Sequence, residues 1–517
     1  MDVINGEIFV VPFFGQGHLI PSVELCKQLS SRNFNTKLII PSHLSSSIPA
    51  ATSLHQYPLF HILTLSDAVG SPFPPGPPPP PPEGGAVAGG GGPPPPGHCN
   101  QEMGREIESL LSQIGTSIVS IAVIDVMMMG SVRWVFRKFG IPVVAFFTSG
   151  ACSAAMEYGI FKAGAYDVKP GQVRVLPGLP ENMAVTVSDI ELLPPPGGPH
   201  HHGPDISQPP PPRHPMQSSP RPPPWIDEVR ESIALLINTC DELEGQFLTF
   251  IGDQVGIPVW GVGPLLPKQY WESANSVLLH DRDIRPSCRS NYTEDEVLKW
   301  LDSKPPKSVL YVSFGTEVGP TTEEYVELAD ALTESGRPFI WVTKSGVGRP
   351  GPHPPFSNIK PGPRPGPGQP QEDYYPNGLD EKVGDNGLII RGWAPQLTIL
   401  CHGSTAGFLS HCGWNSTTEA MARGVPILAW PIRGDQMFNA KLVVSHLKVG
   451  HRVSYGGPSE MVKKDNILKG IEMLMNDEEL RARAATLARQ FDGRFPSSSM
   501  AALDGFGDFV MKNKIAC

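Results

Sequence analysis

Short apolar runs alternate with stretches of helical periodicity along most of the chain. The apolar run Ile8–Phe13 is followed by a turn at Gly15–His18, a helical pattern over Pro21–Ser31 and a second apolar run at Thr36–Ile40. Further buried strands are predicted by the apolar runs at Ile121–Asp125, Val143–Phe147 and Leu235–Thr239. A strand–helix–strand order of this kind indicates a parallel sheet.

The same alternation restarts in the second half, after a polar stretch without clear periodicity that reaches Tyr292. Strands and helices are predicted there at Ser308–Phe314, Thr321–Ser335, Phe339–Thr343, Gly387–Arg391, Gly407–Leu409, Thr417–Arg423 and Val425–Trp430. We therefore expect two α/β domains, residues 1–264 and 293–495, joined by a linker over residues 265–292. A C-terminal helix within residues 496–517 is expected to return to the first domain. Two such domains place a ligand in the cleft between them, near the C-terminal ends of both sheets.

Three Pro- and Gly-rich stretches interrupt this pattern, at about residues 72–97, 194–224 and 348–370, and they hold much of the 59 Pro and 54 Gly. Such segments cannot form a regular backbone ladder, so we expect extended or disordered surface loops. The run Pro77–Pro82 could be a polyproline II ligand for an SH3-type partner, although a spacer or insertion is the favoured interpretation. The histidines His200–His202 indicate a solvated run rather than a metal site.

Charge and composition exclude several classes of protein. The net charge of −10 over 517 residues offers no basic face for nucleic acid. The N-terminus lacks the features of a secretory signal, and the apolar stretch Ile114–Val132 carries Asp125, so it is expected to be a buried strand running into a loop rather than a membrane span. We therefore expect a cytoplasmic protein. The sequence shows no heptad pattern of the kind that forms coiled coils, and a monomer is expected.

The eight cysteines contain no CxxC pair, which argues against both a disulfide framework and a zinc site. In a cytoplasmic chain the glycosylation sequons at Asn291 and Asn415 have no role.

The segment from Trp393 to Gln436 carries the clearest chemistry: WAPQLTILCHGSTAGFLSHCGWNSTTEAMARGVPILAWPIRGDQ. Asn415 and Ser416 stand between a short strand and a helix, where they and nearby backbone amides can meet a pyrophosphate, and His411 can donate to the same charge. Trp393 offers a flat apolar face for a uracil ring, and Glu419 can accept from both ribose hydroxyls. Asp435 and Gln436 carry acceptor and amide groups that suit the binding of sugar hydroxyls.

These 44 residues resemble the complete signature motif of the plant family 1 UDP-sugar glycosyltransferases, from its Trp-Ala-Pro-Gln opening through His-Cys-Gly-Trp-Asn-Ser to its terminal Asp-Gln. The resemblance covers the chain except for the three inserts. It implies the GT-B fold, in which two Rossmann-like domains with parallel sheets face each other across a cleft. It also implies a UDP-sugar donor, with glucose favoured by Trp414 and Gln436, and no metal or other cofactor.

The resemblance assigns individual roles within the UDP-sugar site. It implies uracil stacking by Trp393 with Ala394 beside it, ribose binding by Gln396 and Glu419, and diphosphate binding by His411, Asn415 and Ser416. It implies sugar contacts by Trp414, Asp435, Gln436 and Thr148, although Thr148 could also be a turn residue at a strand end. The segment Ser313–Thr316 resembles a further element of the family, and the hydroxyls of Ser313 and Thr316 could reach the phosphates.

His18 and Asp125 are the candidate catalytic pair. His18 follows the first strand in GQGHLIP, where an imidazole suits a general base near neutral pH. Asp125 ends a predicted strand that could lie beside the first, where its carboxylate would orient the imidazole. The resemblance assigns both the same roles. Gly15-Gln16-Gly17 also begins a dinucleotide fingerprint, but Ile20 replaces its third Gly, so an NAD enzyme is disfavoured.

The expected function is inverting transfer of glucose from UDP-glucose to a small hydrophobic acceptor such as a flavonoid or another phenol. Two alternatives stay open. One is transfer to an aromatic carbon, which would give an acid-stable glycoside. The other is a catalytically silent sugar-nucleotide sensor or scaffold, against which the presence of both His18 and Asp125 argues. The acceptor-side loops vary too much to identify the acceptor.

Overall fold

The computed structural model describes residues 6–48, 54–66, 96–114, 120–190, 222–273, 279–285, 289–316, 318–343, 378–455, 460–491 and 493–513. Most of the three Pro- and Gly-rich stretches lies outside these residues, and so do His200–His202. The strands are β1 (Gly6–Val11), β2 (Phe34–Pro41), β3 (Phe60–Leu65), β4 (Ser120–Asp125), β5 (Val143–Phe147), β6 (Ala234–Ile237), β7 (Val259–Gly261), β8 (Val309–Ser313), β9 (Phe339–Thr343), β10 (Gly387–Arg391), β11 (Thr405–Ser410), β12 (Ile427–Ala429) and β13 (Gly450–Arg452).

Two parallel sheets are built from these strands. In the described part of the chain, the first has the order β3-β2-β1-β4-β5-β6-β7 and the second the order β10-β9-β8-β11-β12-β13. Successive residues of β1 pack on opposite faces, with Phe9 and Val11 in one apolar cluster and Ile8 and Val10 in another. Helices therefore cover both faces, which explains why the strands are continuous apolar runs.

The strand order reverses at one point in each sheet, between β1 and β4 in the first and between β8 and β11 in the second. Val11 pairs with Ile124, and Ser313 pairs with Ser410, so the strands on each side of the reversal end at the same level. Loops leaving such a point diverge to opposite faces and open a crevice where open α/β sheets bind ligands.

Local capping signals mark both ends of one helix in the second half. A capping box of Thr321 and Glu324 opens the helix Thr322–Ser335, which ends at Gly336 in the left-handed conformation. The other described helices are Gln16–Ser30, Pro96–Ile114, Met129–Lys138, Ala151–Lys162, Val187–Ile190, Pro224–Arg230, Asp241–Val255, Lys268–Glu272, Glu294–Asp302, Leu379–Val383, Gln396–Cys401, Trp414–Ala422, Gln436–Lys441, Lys464–Asn476, Glu478–Arg489 and Ser497–Asn513.

Three sequence-based boundaries were wrong, each at a helix start. The turn predicted at Gly15–His18 is instead the first helical turn, because the amides of His18 and Leu19 both donate to the carbonyl of Gly15. The helix predicted from Thr417 starts at Trp414. The chain after β4 forms a helix from Met129 rather than a loop. Apolar periodicity marks the buried face of a helix, and it says little about a first turn that faces a crevice.

The segment between the two sheets shows no clear periodicity in the sequence, but its described residues pack against other elements. Its helix Lys268–Glu272 places the Tyr270 hydroxyl 2.7 Å from the carbonyl of Glu419, and the Trp271 ring lies 5.4 Å from that of Phe491. The last helix, Ser497–Asn513, lies against the first sheet, where the Phe506 ring is 5.6 Å from that of Trp260. The domain limits at residues 264 and 292 stay a prediction.

Candidate active site

His18 and Asp125 meet at the reversal point of the first sheet. His18 lies in the first turn of the helix that follows β1, and Asp125 is the last residue of the adjacent strand β4. His18 Nδ1 is 2.7 Å from Asp125 Oδ2, the carboxylate is buried, and the imidazole is partly exposed. The carboxylate fixes the proton on Nδ1, so Nε2 carries the lone pair that can accept a proton.

Thr148 also lies against this pair. Its hydroxyl oxygen is 2.8 Å from His18 Nδ1 and 3.5 Å from Asp125 Oδ2, and its side chain is buried. The contact of Thr148 with the donor sugar stays a prediction; in the structure its hydroxyl lies against the imidazole and the carboxylate. The reason is the register: Thr148 follows β5, which lies beside β4 with Asp125 opposite Phe146.

The helical turn that carries His18 contacts the second half of the protein directly. Pro21 has no N–H group to donate to the carbonyl of Gly17 four residues earlier. The Asn415 amide nitrogen lies 3.2 Å from this carbonyl and donates to it. The catalytic candidate His18 and the diphosphate candidate Asn415 therefore face the same crevice.

Gln396 and Glu419 form the buried end of the second half of the site. The Gln396 amide donates to Glu419 Oε2 at 2.7 Å and to Ser416 Oγ at 3.0 Å, and its carbonyl accepts from the Tyr311 hydroxyl at 3.0 Å. The other carboxylate oxygen of Glu419 contacts Arg285. The predicted ribose pair is thus held in one network.

Trp393 and Ala394 lie at the entrance to this network. The Trp393 indole nitrogen is 3.4 Å from Asp281 Oδ2, and the ring lines a cavity together with Gln16, Leu19 and Arg285. Ala394 is buried, and its carbonyl accepts from the amide of Gln396 at 2.8 Å. An apolar ring face beside such a cavity can stack on a planar base.

His411, Ser313 and Thr316 follow the paired strands β11 and β8. Ser313 and His411 are buried, while Thr316 is exposed. Gly315 has a φ of 74°, and a Cβ there would lie 2.6 Å from His411 Nε2. Only glycine allows the backbone to pass this close to the imidazole. The arrangement sets the imidazole beside the backbone of the turn after β8.

Trp414 and Asp435 connect the donor motif to the first half, and Gln436 lies next to them in the chain. The Trp414 indole nitrogen donates to the carbonyl of Asn238 at 2.6 Å, so any sugar contact by this residue must come from its ring or backbone. Asp435 Oδ2 accepts from the Ser149 hydroxyl at 2.6 Å. The side-chain oxygen of Gln436 accepts from two backbone amides, so the group it can offer to a sugar is its amide nitrogen.

Two buried side chains that the sequence did not single out, Asn238 and Glu244, hold the backbone of residues 148–152 beside the site. The Asn238 side chain donates to the carbonyl of Thr148 at 3.0 Å and accepts from the amide of Leu265 at 2.7 Å. The Glu244 carboxylate accepts from the amides of Ala151 and Cys152, each at 2.8 Å. Asn238 follows an apolar strand and Glu244 lies in a helix, positions that usually indicate a turn and a solvated face. Only the folded chain shows that both support residues 148–152.

The pKa of the Glu157 carboxyl is raised, and this predicts that the stability of the fold depends on pH. Burial, reinforced by the negative charge of Asp435, raises the pKa of Glu157 to about 7. Burial also raises the pKa of Glu244 to about 7 and that of Asp281 to about 6. A carboxyl whose pKa is higher in the folded state stabilises the fold below its unfolded pKa, and this stabilisation is lost as the pH rises through the folded pKa.

We therefore expect the free energy of unfolding to fall between about pH 4 and pH 7, and Glu157→Gln to reduce this slope. One proton accounts for at most about 1.4 kcal/mol per pH unit. Urea denaturation at several pH values measures the slope, and Glu181→Gln, an exposed site, is the control that should leave it unchanged. An unchanged slope in Glu157→Gln would contradict the raised pKa.

Within the described ranges, no three or more His, Cys, Asp or Glu side chains are grouped so that they could hold a metal ion. No helix in the described part of the chain combines the length and the apolar character needed to cross a bilayer.

Two doubly wound domains with their reversal points facing one crevice define the GT-B class of fold. Residues 287–514 match the family model "UDP-glucoronosyl and UDP-glucosyl transferase". The chain is 30% identical over 388 residues to UDP-glycosyltransferase 73B3 of Arabidopsis thaliana, covering 72% of this chain and 68% of that protein. The protein belongs to the family of plant UDP-glycosyltransferases.

Further relatives agree with this assignment. Scopoletin glucosyltransferase of Nicotiana tabacum is 36% identical over 266 residues, covering 49% of each chain. The chain spans about half the length of this relative and of UDP-glycosyltransferase 73B4 of Arabidopsis thaliana. The crystal structure of UGT71G1 of Medicago truncatula complexed with UDP-glucose superposes with a TM-score of 0.67 at 22% identity, covering 99% of this chain and 100% of that one. The last comparison concerns the fold alone.

Proposed function

We propose that this protein is an inverting glycosyltransferase that moves glucose from UDP-glucose to a small hydrophobic acceptor such as a flavonoid or another phenol. The observation that carries the proposal is the His18–Asp125 pair, which faces the donor motif through the contact of Asn415 with Gly17. The tobacco relative is named for scopoletin, which supports a small acceptor. The cytoplasmic location and the monomeric state stay predictions.

The reaction is a direct displacement. His18 Nε2 takes the proton of the acceptor hydroxyl while that oxygen attacks the anomeric carbon of glucose. The bond from this carbon to the diphosphate oxygen breaks, UDP leaves with the bonding electrons, and the α-configured donor yields a β-glucoside. Asp125 stabilises the imidazolium that forms.

The donor site follows the order of the motif. Trp393 stacks on uracil beside Ala394, Gln396 and Glu419 bind the ribose, and Asp435 and Gln436 bind the sugar, with Trp414 and Thr148 beside them. The diphosphate is held by His411, Asn415, Ser416, Ser313 and Thr316. Asn415 and Ser416 lie in the first turn of the helix Trp414–Ala422, whose N-terminus favours negative charge. These protein donors would stabilise the leaving UDP, so we expect no metal requirement.

The first experiment is turnover of the purified protein with UDP-glucose and a panel of flavonoids and simple phenols. We expect release of UDP and a product heavier by one hexose, with the anomeric proton of a β-glucoside in its NMR spectrum, and we expect chelator to have no effect. Heat-inactivated protein is the control. Binding of UDP-glucose without turnover on any acceptor would favour the silent sensor, and an acid-stable product would show transfer to carbon.

A further inference from the structure

Arg285 is a buried cation in the segment that joins the two sheets. Its side chain is 8% exposed, and its Nη2 contacts Glu419 Oε1. Its Nη1 lies 3.9 Å from Asp281 Oδ1 in the same segment. A buried guanidinium is retained only where negative charge compensates for its lost hydration. Here Glu419 contacts it directly, and Asp281 lies within ion-pair distance.

The second oxygen of Glu419 is held by Gln396, so each carboxylate oxygen has one polar contact among the residues that the structure describes. An ionised carboxylate offers about four lone-pair sites, which leaves about two for further donors. The terminal torsion of a Glu side chain has a broad energy profile, and contacts to both oxygens fix its plane. Arg285 and Gln396 together therefore set the direction of the remaining lone pairs.

The same segment also contacts Trp393, the residue predicted to stack on uracil. Asp281 lies 3.4 Å from the indole nitrogen of Trp393 and 3.9 Å from Arg285, and both Arg285 and Trp393 line one cavity. The backbone amide of Asp281 is held in turn by Thr398 at 3.0 Å and Glu294 at 2.6 Å. Residues 279–285 are thereby anchored to the second half, beside the groups proposed for uracil and ribose.

We propose that Arg285 is a positioning residue of the donor site, which fixes the carboxylate of Glu419 so that it accepts both ribose hydroxyls of a uridine diphosphate. The inference rests on the proposed function, because it assumes that Glu419 binds the ribose. Arg285 acts through Glu419 and does not take part in the chemical step.

The effect should depend on the ribose hydroxyls. Arg285→Met is expected to weaken UDP binding by about 10- to 100-fold, the scale of hydrogen bonds to a charged group. Binding of 2′,3′-dideoxy-UDP, which lacks both hydroxyls, should change by less than about threefold, because this ligand makes no contact that Arg285 organises. Arg285→Lys keeps the charge without the planar fork and should lose UDP affinity in part. Isothermal titration calorimetry measures each dissociation constant.

Two further variants control for loss of the fold. Arg282→Met removes a half-exposed arginine from the same segment, which pairs with Asp295 at 3.0 Å and with Glu294 at 3.8 Å. Because neither pair includes Glu419, this variant should bind UDP as the wild type does. Arg285→Met combined with Glu419→Gln removes both charges of the buried pair together. Compared with Glu419→Gln alone, it should show no further loss of UDP affinity, because the partner through which Arg285 acts is already altered.

The outcomes separate this inference from the proposed function. If the wild type fails to bind UDP, the proposed function is overturned and this inference falls with it. If the wild type binds UDP, equal losses of UDP and dideoxy-UDP in the Arg285 variants would overturn the inference alone. Unchanged UDP affinity in Arg285→Met, or a further loss in the double variant, would overturn it as well.

Discussion

Replacing His18 by alanine is expected to lower kcat on an unactivated phenol by about 10²- to 10⁴-fold, the contribution of a positioned general base. The Nδ1 contact to Asp125 leaves Nε2 as the only basic nitrogen of the neutral imidazole, and alanine removes it. UDP affinity should stay near the wild-type value, because the nucleotide groups lie in the second half. Steady-state kinetics and a UDP titration measure the two quantities.

The acceptor can separate loss of the base from general damage. A nitrophenol that is already ionised at the assay pH needs no base, so His18→Ala should lose much less activity on it than on an unactivated phenol. His43→Ala, at an exposed position after β2, is the matched control and should keep full activity on both. Full activity of His18→Ala on the unactivated phenol would show that His18 is not the base.

Asn238→Ala is expected to have the largest effect on stability among the changes considered, a loss of about 2–4 kcal/mol in the free energy of unfolding. It removes the donor for the carbonyl of Thr148 and the acceptor for the amide of Leu265, and each buried group left without a partner costs roughly 1–3 kcal/mol. Urea denaturation with the native fluorescence signal measures the loss.

The control for this change is Asn466→Ala, at an exposed helical position where alanine is well tolerated. It should change the stability by less than about 0.5 kcal/mol. A similarly small change in Asn238→Ala would mean that water replaces both hydrogen bonds. Because Asn238 also holds the backbone of Thr148 beside His18, the variant should lose activity even at temperatures where it is folded.

The parallel sheets could be predicted from the sequence because their strands are buried on both faces and therefore read as apolar runs. The strands Val143–Phe147, Phe339–Thr343 and Gly387–Arg391 match the structure at both ends. Helix starts were less accurate. His18 and Trp414 lie in first helical turns that face a crevice, and the apolar periodicity of a buried face does not extend to such residues.

The sequence by itself determined the fold class, the family and the order of the candidate donor residues, because these are recorded in local patterns: apolar runs, caps and one uninterrupted motif. Only the tertiary structure decided which distant residues support them. It joined Thr148 to His18, Asn238 to Trp414, and Arg285 to Glu419, across separations of 130, 176 and 134 residues. Contacts of this kind depend on strand order and on the docking of one domain against the other, and no local pattern in the chain encodes either.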